Sequence, residues 1–352
     1  MEEGKSAAVR LPQLGEHGYY EIRLESIGGL GANVCGKLLG ELGAAYLGLN
    51  ASSFSSYGSE KQGSPVKAHV RWAQGREILH NSPVERPQLL GLFHRALARS
   101  YPVMAGVEEG CTVVVNADAS PDQMRRELRL RAGSIGCVDA LALALQSKSR
   151  VNMVMLGALV RAAGFVPLDA AKALVRDTLG KKYPAMLPAN LEGLELGYRE
   201  LKTRHFPADG RYEYQPYQEM QSDWGYENAP LGGVNPLAGS TARNDLSASR
   251  QGFLPRFLPE KCIHCGLCDS SCPDMVFRFR PGEYRGMVTM LNHGPEYRYC
   301  KGCLRCVDIC PTGALVSVRE REQDTEGVAA GADPEITGES YLVEKRADGG
   351  LM

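Results

Sequence analysis

Eight cysteines lying between positions 262 and 310 are the residues of this chain best suited to chemistry. They form two runs of one pattern, Cys262-x2-Cys265-x2-Cys268-x3-Cys272-Pro273 and Cys300-x2-Cys303-x2-Cys306-x3-Cys310-Pro311. Three thiolates spaced three residues apart wrap a short loop around one corner of an iron–sulfur cube and capture three of its irons; the fourth ligand must come from elsewhere. Soft sulfur donors match cluster irons. Structural zinc also uses Cys-x2-Cys knuckles, but zinc leaves the third cysteine and the Cys-Pro step of each run without a purpose.

In two-cluster ferredoxins the fourth cysteine of each run ligates the other cluster, because the proline after it turns the chain away. That rule predicts one [4Fe–4S] cluster on Cys262, Cys265, Cys268 and Cys310, and a second on Cys300, Cys303, Cys306 and Cys272. An α+β bacterial 2[4Fe–4S] ferredoxin-like domain is therefore expected over 255–320. Gly266 and Gly302 are placed to let the backbone approach a cluster and aim amide N–H groups at its sulfurs. His264 and Lys301, inside the runs, could tune a cluster's potential, but a surface side chain is the first reading for each. The stretch from Pro273 to Tyr299 contains strand-like pieces, Met275 to Phe277 and Met287 to Met290, and reads as a hairpin arm. Clusters carry no acid–base or nucleophilic groups, so the chemistry implied is the passage of single electrons.

The elements that precede this domain alternate between short β-rich and longer helical runs, the signature of a layered α/β (Rossmann-like) domain over 19–204. Tyr20 to Ile27 has period-two apolar spacing and ends at a glycine turn; Ala32 to Leu47 follows with helical spacing. Val66 to Trp72 and Cys111 to Ala117 are further predicted strands. Gln88 to Arg99, Pro121 to Arg131, Val151 to Gly164 and Asp169 to Gly180 are predicted helices. The turn Gly28-Gly29-Leu30-Gly31 stands where a phosphate-cradling loop would, before a helix N-terminus. It lacks the third glycine of a dinucleotide fingerprint, because Val34 stands there. A tight turn for strand–helix packing is the better reading. The polar stretch Ser52 to Pro65, with Ser56, Tyr57, Gly58 and Lys61, reads as a loop serving as a binding surface. Cys35, Cys111 and Cys137 sit in apolar contexts and read as buried structural thiols. No catalytic triad or paired carboxylate emerges from the spacing, so no catalytic residue is assigned.

An N-terminal extension covers 1–18, an extended arm rich in Pro, Gly, Asn, Ser and Tyr covers 205–254, and a polar tail covers 321–352. The aromatics of the arm favour wrapping over another surface to disorder. The chain has 352 residues and a formal net charge of -1, with 40 Lys+Arg against 41 Asp+Glu, which offers no global attraction to nucleic acid or to an anionic membrane. No apolar run is long enough to span a bilayer, the first residues lack a secretory signal, and crowded cysteines suit a reducing compartment; a cytoplasmic location is expected.

Several segments taken together resemble the gamma and delta subunits of 2-oxoacid:ferredoxin oxidoreductases, fused in one chain. The gamma likeness rests on Ile27-Gly28-Gly29-Leu30-Gly31-Ala32, on Ser56-Tyr57-Gly58-Ser59-Glu60-Lys61-Gln62-Gly63-Ser64-Pro65-Val66 and on Asn152-Met153-Val154-Met155-Leu156-Gly157-Ala158. The delta likeness runs from Trp224 through Ala229-Pro230-Leu231-Gly232-Gly233 and Ser249-Arg250-Gln251-Gly252 to both cysteine runs. Leu30, where the family often has Gln, and Lys61-Gln62, where it often has Arg-Arg, depart from the pattern and leave the substrate branch open.

The resemblance implies thiamine diphosphate and magnesium held by separate alpha and beta subunits, oxidative decarboxylation of pyruvate or oxalate, and electrons leaving singly through the two clusters to external ferredoxin. It also implies that the gamma part shapes access for coenzyme A, with Gly28, Gly29, Gly31, Ser56, Tyr57, Gly58 and Lys61 facing that site. The other functions weighed are a stand-alone electron-transfer adaptor, an α/β nucleotide-binding module with a ferredoxin tail serving an unrelated oxidoreductase, and a non-redox protein whose clusters only brace the fold.

Overall fold

A computed structural model of the chain describes residues 9–12, 14–57, 65–99, 101–217, 232, 250 and 252–320. The chain divides into two units, Met1–Glu219 and Met220–Met352.

The first unit runs β1 (Tyr20–Ile27), α1 (Ala32–Glu41), β2 (Asn50–Tyr57), β3 (Pro65–Ala73), β4 (Leu89–Leu92), β5 (Thr112–Asn116), α2 (Pro121–Leu128), β6 (Gly133–Val138), α3 (Ala140–Ser147), α4 (Val151–Ala163), α5 (Leu168–Val175), α6 (Leu187–Glu200) and β7 (Lys202–Phe206). The strands form one mixed sheet in the order β2-β3-β1-β4-β5-β6-β7. Its centre, β1-β4-β5-β6, is parallel, and β2, β3 and β7 extend it antiparallel. This is the layered α/β fold that the alternation of elements predicts. Ile22 and Leu24 of β1 join Ala68, Val70 and Trp72 of β3 in the main core, together with Cys35, Leu38 and Leu39 of α1 and the apolar run Met153–Val160 of α4. Burial of such side chains stabilises the fold by about 1.5–3 kcal/mol each. Helix α2 begins on Ser120, whose hydroxyl accepts from the Gln123 N–H, with Pro121 in the first turn.

The opposite face of β1 and β3 carries charge, yet every residue of β1 is buried. Arg71 pairs with Glu21 at 2.7 Å and Arg23 with Glu25 at 3.1 Å. Arg23 donates to the carbonyls of Val84, Glu85, Val103 and Ala105, and Arg71 to those of His80, Ser82 and Pro83. The two guanidiniums thus satisfy the carbonyls of the loops that cover this face. The arm reaches this face at its last described residues: Arg23 stands over the Tyr217 ring and the Gly106 N–H donates to the Gln215 carbonyl.

Two elements differ from expectation. Gln88 to Arg99, predicted helical, is strand β4 followed by a single 3-10 turn, Arg95–Arg99. A four-residue apolar run buried on both faces has no period to separate strand from helix. The start of the polar Ser52 to Pro65 stretch is not loop but edge strand β2, paired along its length with β3. An edge strand tolerates a polar outer face, and Phe54 anchors it by stacking on His69 at 4.9 Å.

The second unit runs β8 (Phe253–Phe257), α7 (Leu267–Ser271), β9 (Phe277–Tyr284), β10 (Met287–Pro295), α8 (Arg305–Ile309) and β11 (Leu315–Arg319). Two antiparallel pairs, β8 with β11 and β9 with β10, frame two short helices. Its small core contains Leu254, Val276, Phe277, Tyr297 and Leu315 and, among them, Cys268, Cys300 and Cys306. Half-polar thiols are thus part of the packing itself. Among the described residues no helix is long and apolar enough to cross a membrane.

Candidate metal centres

Each cysteine run enters its helix through the same backbone path. Two left-handed residues occur in each: His264 (φ 58°) and Gly266 (φ 77°) in the first, Gly302 (φ 68°) and Leu304 (φ 62°) in the second. Left-handed residues are uncommon outside glycine, so their recurrence at matching places marks a repeated cradle. In both runs the cradle turns an amide toward sulfur: the His264 N–H donates to Cys262 Sγ and the Gly302 N–H to Cys300 Sγ, each at 3.4 Å.

The thiols surround two separate small cavities. One is lined by Cys262, Cys265, Cys268 and Cys310, the other by Cys272, Cys300, Cys303 and Cys306. Short helices α7 and α8 carry Cys268 and Cys306, while Cys272 and Cys310 stand just past the helix ends, and each reaches the cavity of the opposite run. Among the described residues no three His, Cys, Asp or Glu side chains converge on a single ion; four sulfurs around a cavity instead suit a cage. The donor chemistry agrees, since iron in such clusters takes thiolates. These residues fit the group.

Burial pushes the thiols up in the absence of metal, Cys268 to about 11, Cys300 to about 11 and Cys306 to about 12. Burial also acts upward on Cys310, but backbone N–H groups of Thr312, Leu315 and Ala314 and the Thr312 hydroxyl outweigh it, and its net direction is down. Assembly must therefore expel protons from a partly buried set of thiols.

Outside the cysteines, three groups that sequence reasoning placed elsewhere or passed over bear on the cavities. Lys301 is not a surface side chain; it makes a buried ion pair with Asp274 at 3.0 Å beside the second cavity. His264 is half-buried, accepts from the Asn292 N–H at 2.9 Å and meets the Tyr284 ring edge-on at 4.9 Å. Asn292, from β10, lines the first cavity. Long-range placement by a hairpin leaves no spacing signal. Arg250 donates to the carbonyls of Cys300 and Tyr297 and pairs with Glu320 at 2.8 Å, which gives one member of the Ser249-Arg250-Gln251-Gly252 segment a local structural role.

In the first unit the glycine turn opens a separate cavity of about 510 Å³, lined by Gly28, Gly29, Gly31, Asn33 and Lys37 and by Ser53, Phe54 and Ser55 of β2. Gly31 caps α1 at φ 81°, and a Cβ there would stand 2.8 Å from the Asn152 amide. The structure thus brings the glycine turn and the hydroxyl-rich strand together. Ser56 is exposed on β2; the Tyr57 side chain, Gly58 and Lys61 lie outside the described residues, as do Trp224 and most of 229–233. Cys35, Cys111 and Cys137 are buried, and burial raises the last two to about 12.

A gamma-type α/β sheet and a two-cavity tetracysteine module in one polypeptide define an electron-transferring oxidoreductase subunit. The pyruvate ferredoxin/flavodoxin oxidoreductase family matches residues 21–200, and a 4Fe-4S dicluster domain matches 261–323. The chain belongs to this family and is a member of the 2-oxoacid:ferredoxin oxidoreductases. It is 35% identical over 188 residues to pyruvate synthase subunit PorC of Thermotoga maritima, an alignment covering 52% of this chain and 95% of that one. It is 32% identical to the gamma subunit of the NADH-dependent phenylglyoxylate dehydrogenase of Aromatoleum evansii, over 53% of this chain and 96% of that one. It is 26% identical to the pyruvate-flavodoxin oxidoreductase of Klebsiella pneumoniae, over 81% of this chain but only 28% of that longer protein.

Proposed function

We propose that this chain is the gamma–delta subunit of a thiamine-diphosphate-dependent 2-oxoacid:ferredoxin oxidoreductase, acting on pyruvate or oxalate. The observation that carries the proposal is the pair of four-cysteine cavities joined in one chain to the gamma-type unit. On this reading Cys262, Cys265, Cys268 and Cys310 hold one [4Fe–4S] cluster and Cys300, Cys303, Cys306 and Cys272 the other. Bound clusters supply one-electron centres, which an oxidation that releases two electrons from a 2-oxoacid requires for delivery to a one-electron carrier. The chain's own residues do the rest: the His264 and Gly302 amides donate to ligand sulfurs, and the exposed Cys265 and Cys303 lie at the outer rim of their cavities.

Alpha and beta subunits would hold thiamine diphosphate and magnesium, and external ferredoxin would be the acceptor. Gly28, Gly29, Gly31, Ser56, Tyr57, Gly58 and Lys61 would face the partner site and shape access for coenzyme A, with the 510 Å³ cavity as the opening. The division into 19–204, an arm over 205–254 and a cluster domain over 255–320 belongs to the same proposal. The test is an anaerobic assay of the intact complex with pyruvate, oxalate and 2-oxoglutarate, each with and without coenzyme A, read as ferredoxin reduction. Reduction with pyruvate or oxalate is expected. Purification of the chain without thiamine-binding partners, and no reduction with any 2-oxoacid, would favour an adaptor serving another enzyme.

A further inference from the structure

The two cysteine cages repeat one sequence pattern, yet their surroundings differ. The ladder between β9 and β10 slips between Asn292 and Pro295. A bulge of this kind re-aims a side chain, and here the side chain is Asn292, which is 5% exposed and lines the first cage. Its Nδ2 donates to Cys268 Sγ at 3.2 Å. The amide cannot be turned over, because the Gly294 N–H donates to its Oδ1 at 2.8 Å and a backbone N–H has nothing with which to accept. The Asn292 backbone N–H donates to His264 at 2.9 Å. Three hydrogen bonds therefore hold the residue with an N–H pointed at one ligand sulfur. The described lining of the other cage holds no side-chain amide; it has the Asp274–Lys301 pair and Arg305.

We propose that Asn292 is a positioning residue for one cluster of the pair: its side-chain amide donates an N–H···S hydrogen bond to Cys268 and holds that cluster's reduction potential above the value it would otherwise have. The inference rests on the iron–sulfur reading given above. An added electron increases the negative charge on the ligand sulfurs, so a donor aimed at one of them favours the reduced cluster more than the oxidised one. Because Asn292 touches only the first cage, the effect falls on one cluster, and the two acquire unequal potentials from like ligand sets.

The experiment is a redox titration followed by electron paramagnetic resonance on the anaerobically purified full-length chain, comparing it with Asn292→Asp and Asn292→Leu. Asp keeps an acceptor for Gly294 but removes the donor and adds negative charge; Leu keeps the volume and removes both. One midpoint is expected to fall in both variants, by about tenfold in the reduced-to-oxidised ratio at fixed potential, about 59 mV for one electron. The fall should be larger in Asn292→Asp, and the second midpoint should stay in place. Both midpoints unmoved, or both shifted equally, in chains that retain full iron and sulfide would overturn the proposal. Should the variants shed a cluster, the wild-type chain with 15N in its asparagine side-chain amides gives the reading. Asn292 is the only asparagine between Lys261 and Glu320. Pulsed resonance should find a 15N coupling at one reduced cluster, and its absence would overturn the proposal. A wild-type chain without iron and sulfide would instead defeat the cluster reading itself.

Discussion

At the residue scale, the consequence of a cage built from two runs is that each thiol belongs to one cavity and cannot be replaced by its neighbour. Cys265 lines only the first. Cys265→Ser should lose or convert one cluster, lower iron content by roughly an eighth (one iron lost) to a half (one cubane lost), since one cubane holds four irons, and cut ferredoxin reduction; unchanged iron and unchanged reduction would contradict the assignment. In the first unit, His69 is 1% exposed, and its Nδ1 accepts from the Val84 N–H at 3.0 Å. Burial, then the charges of Arg23, Lys67 and Arg71, lower it from 6.5 to about 3. Between those values the unfolded chain takes up a proton that the folded one refuses, so stability falls as pH drops through this window. His69→Gln keeps an acceptor without the titration. Its urea midpoint, followed by the fluorescence of buried Trp72, should lose less than the wild type between neutral pH and pH about 4; parallel profiles would show that His69 is not held neutral. Neither His69 nor Asn292 was legible as such in the sequence. Both owe their surroundings to segments far along the chain, whereas the proposed ligand set is read from the spacing of the cysteines.

At the element scale, the first unit depends on backbones that touch. Helices α4 and α6 cross with Gly157 against Gly197: a Cβ on Gly157 would stand 1.9 Å from the Leu194 carbonyl oxygen, and one on Gly197 equally near that of Val154. Gly157→Ala must push the helices apart, at a cost of about 1–3 kcal/mol, and thermal unfolding should show it as a clear fall in midpoint; an unchanged midpoint would mean that the helices do not cross here. Gly31→Ala combines a left-handed backbone with a clash on Asn152 and should cost about 1–3 kcal/mol as well. Elements with strong periods, such as β1 and α2, were readable because one face is apolar, and α4 because its apolar run is too long for a strand. Strand β4 was not, since burial on both faces removes the period. Strand β2 was misread because serines at a sheet edge resemble a loop. The burial of the charged face of β1 has a related cause: alternation reports which face is polar, and not whether loops later cover it.

At the scale of the whole molecule, the two units draw on different sources of stability. The first has a large apolar core. The core of the second is small and includes Cys268, Cys300 and Cys306, so cluster binding and folding are coupled there. An iron chelator under reducing conditions should abolish the structure of the second unit while the first keeps a cooperative unfolding transition; loss of both together, or of neither, would contradict separate sources of stability. The central claim is that sulfurs from two like-spelled runs cross over to hold a pair of cubane clusters through which single electrons pass. Iron and acid-labile sulfide analysis of the anaerobically purified chain, combined with resonance spectra taken during stepwise reduction, tests it most directly. About eight irons and eight sulfides per chain, with two centres reduced one electron at a time, is the predicted result. Zinc in place of iron, with no sulfide, would contradict it.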